Sequence, residues 1–152
     1  MIVYLGSDHG GYYLKEKIEA FLARKKYEYE DVGPDELNPT DDYPEFAQMA
    51  VMKILATEEK KKPRAILLCR GGQGMAIAAN RFPGIRASVV WSDDEARMTR
   101  LDNDSNVLCI PTDHVKEDEV YRLIETWLTT EFSNSPRHVR RLKEIDSFYP
   151  HS

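Results

Sequence analysis

Residues Arg64–Asn80 read R-A-I-L-L-C-R-G-G-Q-G-M-A-I-A-A-N. Ala65-Ile66-Leu67-Leu68-Cys69 is an unbroken apolar run, the pattern of a strand in a parallel sheet covered on both faces. Gly71, Gly72 and Gly74 follow directly, and Met75-Ala76-Ile77-Ala78-Ala79 favours helix. A strand, a glycine turn and a helix start bring backbone N–H groups together as a cradle for an anion, and the helix dipole adds partial positive charge. Cys69 stands at the carboxyl end of the strand, where open α/β sheets carry their chemistry.

Outward from this stretch, strands and helices alternate in both directions. Ile2-Val3-Tyr4-Leu5 is a short strand running into Gly6-Ser7-Asp8-His9-Gly10-Gly11, and Tyr12 to Lys25 is a helix with Leu14, Ile18, Phe21 and Leu22 on one face. Tyr27 to Val32 is a more polar strand, expected at an edge. Gly33 to Asp42 is loop, and a helix opens near Pro44 with Asp42 as its N-cap. Beyond Pro83-Gly84, Ile85 to Trp91 is a fourth strand. Ser92-Asp93-Asp94-Glu95 starts a helix, and Val107 to Ile110 is a fifth strand. Helices over Glu117 to Phe132 and from about 135 to 146 complete the chain. The pattern predicts one α/β domain over residues 1–152, a doubly wound, Rossmann-like sheet of five parallel strands with helices on both faces.

Composition narrows the classes of function. The 152 residues are 41% hydrophobic and 31% charged with a net charge of −5, a balance that argues against nucleic acid or an anionic membrane as partner. No apolar run reaches bilayer length, and Met1 to Leu5 lack the features of a signal peptide. Cys69 and Cys109 fit no zinc or C-x-x-C spacing, so free thiols in the cytoplasm are expected, with no metal or cofactor. A P-loop is excluded because no Gly-Lys-Ser/Thr follows the glycines, and a dinucleotide fingerprint because the third glycine is missing.

Three polar clusters carry the chemistry: Asp8-His9, Cys69 with its glycines, and Asp102-Asn103-Asp104-Ser105-Asn106. Wound as expected, the sheet would place all three on one rim. Arg137 and Arg141, four apart on one helical face, suit a phosphate. A thiolate base, an oxyanion cradle and a phosphate clamp together point to proton transfer beside the carbonyl of a phosphorylated sugar. Bland readings stand beside these. Cys69 can be a core thiol, His9 a turn cap, the two arginines a solvated face, and Arg70 either a surface residue or an anion contact.

The same residues carry a resemblance. Ser7-Asp8-His9-Gly10-Gly11, Asp42-Tyr43-Pro44-Glu45-Phe46-Ala47, Cys69-x-Gly-Gly-x-Gly-Met-Ala-Ile-Ala-Ala-Asn80, Pro83-Gly84-Ile85-Arg86-Ala87, Asn103-Asp104-Ser105-Asn106-Val107-Leu108 and Arg137-His138-x-x-Arg141 resemble, in order, the ribose-5-phosphate isomerase B and galactose-6-phosphate isomerase family. The resemblance implies metal-free aldose–ketose isomerisation through a cis-enediolate, in a homodimer or higher oligomer with shared active sites, the last helix docking at the interface. It implies Cys69 as the base and the backbone N–H groups at Gly71, Gly72, Gly74 and Met75 as the oxyanion cradle. Asp8 and Asn103 would meet sugar hydroxyls, Tyr43 would line the pocket, and His9, Arg137 and Arg141 would take the phosphate.

The glycine turn is expected to lower the Cys69 pKa. Four positions depart from the family pattern: Arg70 and Gly71 stand where Gly and Thr are usual, Asp102 where a ring-opening His is usual, and Asp113 where an Arg is usual. Asp102 is therefore the second catalytic candidate. The departures keep two alternatives open, a catalytically weak sugar-phosphate-binding or partner subunit and an isomerase of a six-carbon sugar phosphate.

Overall fold

The computed structural model describes residues 1–149, so the last three residues of the expected domain lie outside the described residues. The strands are β1 (Ile2–Ser7), β2 (Glu28–Gly33), β3 (Arg64–Cys69), β4 (Ala87–Val89) and β5 (Val107–Pro111). The helices are α1 (Tyr12–Arg24), α2 (Tyr43–Ala56), α3 (Gln73–Ala79), α4 (Asp93–Asn103), α5 (Glu117–Thr129) and α6 (Pro136–Asp146). All strand pairs are parallel, in the order β2-β1-β3-β5-β4. The apolar runs become the three inner strands, buried along their whole length, while the polar β2 lies at an edge as its composition predicts.

β4 is shorter than the expected Ile85–Trp91. It is the other edge strand, with β5 as its single neighbour, and Arg86 gives its backbone N–H to the Asn106 side chain at 2.8 Å rather than to a ladder.

Alternation along β3 divides the core in two. Ala65, Leu67 and Cys69 face α2 and α3, packing with Phe46, Ala50, Val51 and Met75. Ile66 and Leu68 face the opposite layer, where Ile18 and Leu22 of α1 and Val120, Leu123, Ile124 and Trp127 of α5 meet them. Because α1 and α3 leave the sheet on opposite faces, the loops after β1 and β3 diverge. The crevice between their carboxyl ends is the switch point of the winding.

The third polar cluster does not join that rim. Asp102 and Asn103 end α4, and the loop from Asp104 to Asn106 leads into the first residue of β5, so the cluster lies at the amino ends of the strands. Asn106 accepts the Ala65 N–H at 2.9 Å, at the start of β3. Buried arginines close this end: Arg64 donates to the Trp127 carbonyl at 2.8 Å and Arg100 to that of Ser105 at 2.6 Å. The expectation of a common rim fails for a topological reason. A loop that precedes a parallel strand sits at the opposite end from one that follows it.

Candidate active site

Cys69 ends β3 with only 5% of its surface exposed. The turn beyond it folds back so that the Gly72 N–H points at the sulfur, 3.1 Å from Sγ. Gly72 has φ +69°, and a Cβ there would lie 3.2 Å from the Pro111 nitrogen and from Val89, so glycine is required both by conformation and by space. Gly71 is different, since a Cβ on it would meet nothing within 4 Å.

Burial pushes the Cys69 thiol above its ordinary value; the N–H groups of Met75, Gly72 and Gly71 pull it down, and the Asp8 charge pushes it up. The net direction is upward, which corrects the expectation of a lowered thiol. The donors are present as foreseen, but the cover over Cys69 outweighs them. Cys109, one strand away in β5, is fully buried core and its thiol is pushed far up by that burial.

β1 delivers Asp8 and His9 to the facing side of the crevice. Asp8 is held by its own N–H on the Leu68 carbonyl at 3.2 Å, and its Oδ1 accepts the Gly10 N–H at 2.9 Å. Burial raises the Asp8 carboxyl; the Gly10 N–H and His9 oppose the rise, while Asp41 adds to it. His9 is bound to Asp41 through both its backbone N–H (3.0 Å) and its ring Nδ1 (2.7 Å). Sequence reasoning passed over Asp41 in favour of its neighbour Asp42, which sits at the N-cap position of α2 but makes no side-chain capping bond.

Two side chains lie over glycines. The Tyr43 ring crosses Gly74, where an added Cβ would come within 2.5 Å of Cζ. Arg70 crosses Gly10, where a Cβ would come within 2.7 Å of Arg70 Cγ. The end of β5 ties the rim together: Thr112 donates its N–H to the Cys69 carbonyl (3.0 Å) and its hydroxyl to that of Gly10 (3.2 Å), and the Asp113 N–H reaches the Arg70 carbonyl (3.1 Å). Asp8, His9, Tyr43, Cys69, Gly71, Gly72, Gly74 and Met75 thus share one rim.

Asp102, Asn103, Arg137 and Arg141 form a second group at the other end. Asp102 Oδ1 is 3.6 Å from His138 Nδ1, and that ring is buried on α6. His138 also meets the Ser133 hydroxyl at 3.1 Å, and Arg137 Nε donates to its Nε2 at 3.2 Å. His138 therefore links Asp102 to Arg137, a role that its place inside the arginine motif did not reveal. Asn103, Arg137 and Arg141 are exposed. β5 runs from the loop that follows Asn103 to the rim that holds Cys69, which puts the two groups toward opposite ends of that strand.

Among the described residues, one set of side chains brings metal-ligating atoms together, Asp8, His9 and Asp41 within 4.8 Å of one another. The His9–Asp41 hydrogen bond already occupies one pair of those atoms.

A thiol at the switch point, backbone donors beside it and a β1 turn carrying Asp-His form an arrangement that can support proton transfer next to a developing oxyanion. The chain matches the Ribose/Galactose Isomerase family over residues 3–145 and belongs to it. It is 34% identical over 142 residues to the ribose-5-phosphate isomerase B of Mycolicibacterium paratuberculosis, covering 93% of this chain and 87% of that one. Ribose-5-phosphate isomerase B of Clostridium thermocellum superposes with a TM-score of 0.90 at 38% identity, covering 97% of each chain. The enzyme from Mycoplasma genitalium, solved with ribulose-5-phosphate bound, superposes at 0.89 with 32% identity over 97% of this chain and 95% of that one.

Proposed function

We propose that this protein interconverts an aldose and a ketose phosphate of the ribose 5-phosphate and ribulose 5-phosphate type, through a cis-enediolate, with Cys69 as the base. The observation that carries the proposal is the sulfur at the carboxyl end of β3 with the Gly72 N–H 3.1 Å from it. A small group bound beside the sulfur would meet the same backbone N–H groups that now surround Sγ. In the forward direction the Cys69 thiolate takes the proton from C2 of the open-chain aldose. The C1 oxygen gathers the charge and is held by N–H groups of the Gly71–Met75 turn; the hydroxyl proton of the enediolate passes from the C2 oxygen to the C1 oxygen, and Cys69 returns its proton to C1, leaving the C2 carbonyl of the ketose. Asp8 engages sugar hydroxyls and Tyr43 closes the pocket over Gly74.

The phosphate falls to His9 together with Arg137 and Arg141. These arginines sit at the wrong end of their own chain, so the reading calls for a second subunit that presents α6 and the end of α4 to the first subunit's Cys69. Asn103 would reach the sugar and Asp102, held by His138, would assist ring opening from that partner. Exposed Ile145 and Phe148 at the end of α6 give such a homodimer or higher oligomer an apolar surface to bury. Arg70, crossing Gly10 on the same rim as His9, adds an anion contact. No helix among the described residues is long and apolar enough to cross a membrane. We assign the enzyme to the cytoplasm, where thiols such as Cys69 and Cys109 stay reduced.

Steady-state turnover of ribose 5-phosphate, allose 6-phosphate and galactose 6-phosphate by wild type and Cys69→Ala tests the proposal. Turnover of the pentose phosphate that falls at least about a thousandfold in the variant is expected, the loss usual for a removed catalytic base or nucleophile. Preference for a hexose phosphate would shift the substrate assignment. Saturable binding without turnover would make the chain a binding or partner subunit.

A further inference from the structure

Asp41 lies in the loop between β2 and α2 and carries no role in the mechanism above. Its carboxylate is placed with unusual economy. Oδ1 accepts two hydrogen bonds from one residue, the His9 backbone N–H at 3.0 Å and the His9 ring at 2.7 Å. Oδ2 is buried and has no partner among the described residues, and the side chain as a whole is 6% exposed against 30% for His9. A carboxylate so enclosed is costly unless a positive charge offsets it.

The ring and backbone contacts together fix both the torsion and the tautomer of His9. Nδ1 carries the proton, and Nε2 makes no hydrogen bond among the described residues. The other charged groups around this turn are Asp8, which precedes His9 and gains an upward push from Asp41, and Arg70, which crosses Gly10 from β3. A carboxylate behind a histidine whose far nitrogen is free fixes the ring's orientation and leaves Nε2 to face a ligand.

The geometry points to Asp41 as the positioning residue of the anion site: it orients His9 and balances an imidazolium that is formed between the Asp41 carboxylate and the substrate's phosphate dianion. This rests on the assignment of His9 to the phosphate. Nε2–H donates to a phosphate oxygen, Nδ1–H donates to Asp41, and the two anions flank one cation. Asp41 touches no substrate; it acts through His9.

The test compares wild type with Asp41→Asn, in which the amide oxygen still accepts both N–H groups but the charge is gone. Histidine 15N spectra are recorded with and without saturating inorganic phosphate, and His9 is assigned with His9→Gln. In the wild type, phosphate is expected to leave both His9 ring nitrogens protonated. In Asp41→Asn the ring stays singly protonated, phosphate affinity falls about tenfold and KM for the sugar phosphate rises by a similar factor with kcat within about twofold, the scale of one charge-assisted hydrogen bond.

Equal phosphate affinity and ring protonation in the two proteins would overturn the inference and leave Asp41 as a loop-packing residue. So would a fall in kcat at constant KM, which would place the carboxylate in the chemistry instead. Should Asp41→Asn fail to fold, the wild-type spectrum decides alone, since a His9 ring singly protonated in the phosphate complex contradicts the proposal. Absence of sugar turnover by the wild type would count against the isomerase reading, while the phosphate titration would still decide the Asp41–His9 pairing.

Discussion

At the scale of single residues, Cys69 combines two opposing influences. Backbone donors from Gly71, Gly72 and Met75 favour the thiolate, and burial under the α2–α3 layer disfavours it more strongly. A base whose pKa lies above the ordinary thiol value is mostly protonated at neutral pH, so the active fraction grows as pH rises. The pH dependence of kcat/KM for ribose 5-phosphate is therefore expected to climb about tenfold per unit through neutrality, with no plateau until above about 8.5. A plateau beginning below pH 7 would show a depressed thiol and contradict the burial argument. The Asp8 carboxylate works in the same direction, because its charge pushes Cys69 further up.

At the scale of elements, the glycine turn between β3 and α3 separates two glycines that look alike in sequence. Gly72 is in a left-handed conformation and hemmed in by Pro111 and Val89, whereas Gly71 opens to free space. Gly72→Ala is expected to cost about 1–2 kcal/mol in urea unfolding, the penalty of a left-handed non-glycine residue. Gly71→Thr, which restores the hydroxyl usual in the family, should stay within about 0.5 kcal/mol of wild type. Equal losses at both positions would mean that the turn is not strained where the backbone indicates.

How much of this was legible in the sequence depends on the range of the interaction. β3 and its turn could be read because an apolar run, a cysteine and three glycines are contiguous signals. The edge position of β2 followed from its polarity. The pairing of His9 with Asp41 spans 32 positions and leaves no local mark, and the direction of the Cys69 shift depends on packing contributed by other elements. Asp102 was placed on the wrong rim because a polar cluster next to a strand gives no sign of which end of the strand it occupies until the winding is known.

At the scale of the whole molecule, the residues of the proposed site fall at two ends of the sheet. The carboxyl rim holds Cys69, Asp8, His9 and the glycine turn; the amino rim and α6 hold Asn103, Asp102, Arg137 and Arg141. Two chains in a symmetric pair can bring one rim of each to the other, making two complete sites, which is the usual economy of an isologous dimer. Mixing inactive variants tests this directly. Cys69→Ala and Arg137→Ala, each nearly inactive alone, are unfolded together and refolded at equal concentration. In a mixed dimer one site then carries both substitutions and the other carries neither. The account predicts recovery of about a quarter of wild-type activity, since half of the dimers are mixed and one of two sites in each is intact. A mixture as inactive as its parents would contradict it, because Cys69 and Arg137 would then have to serve the same site from the same chain.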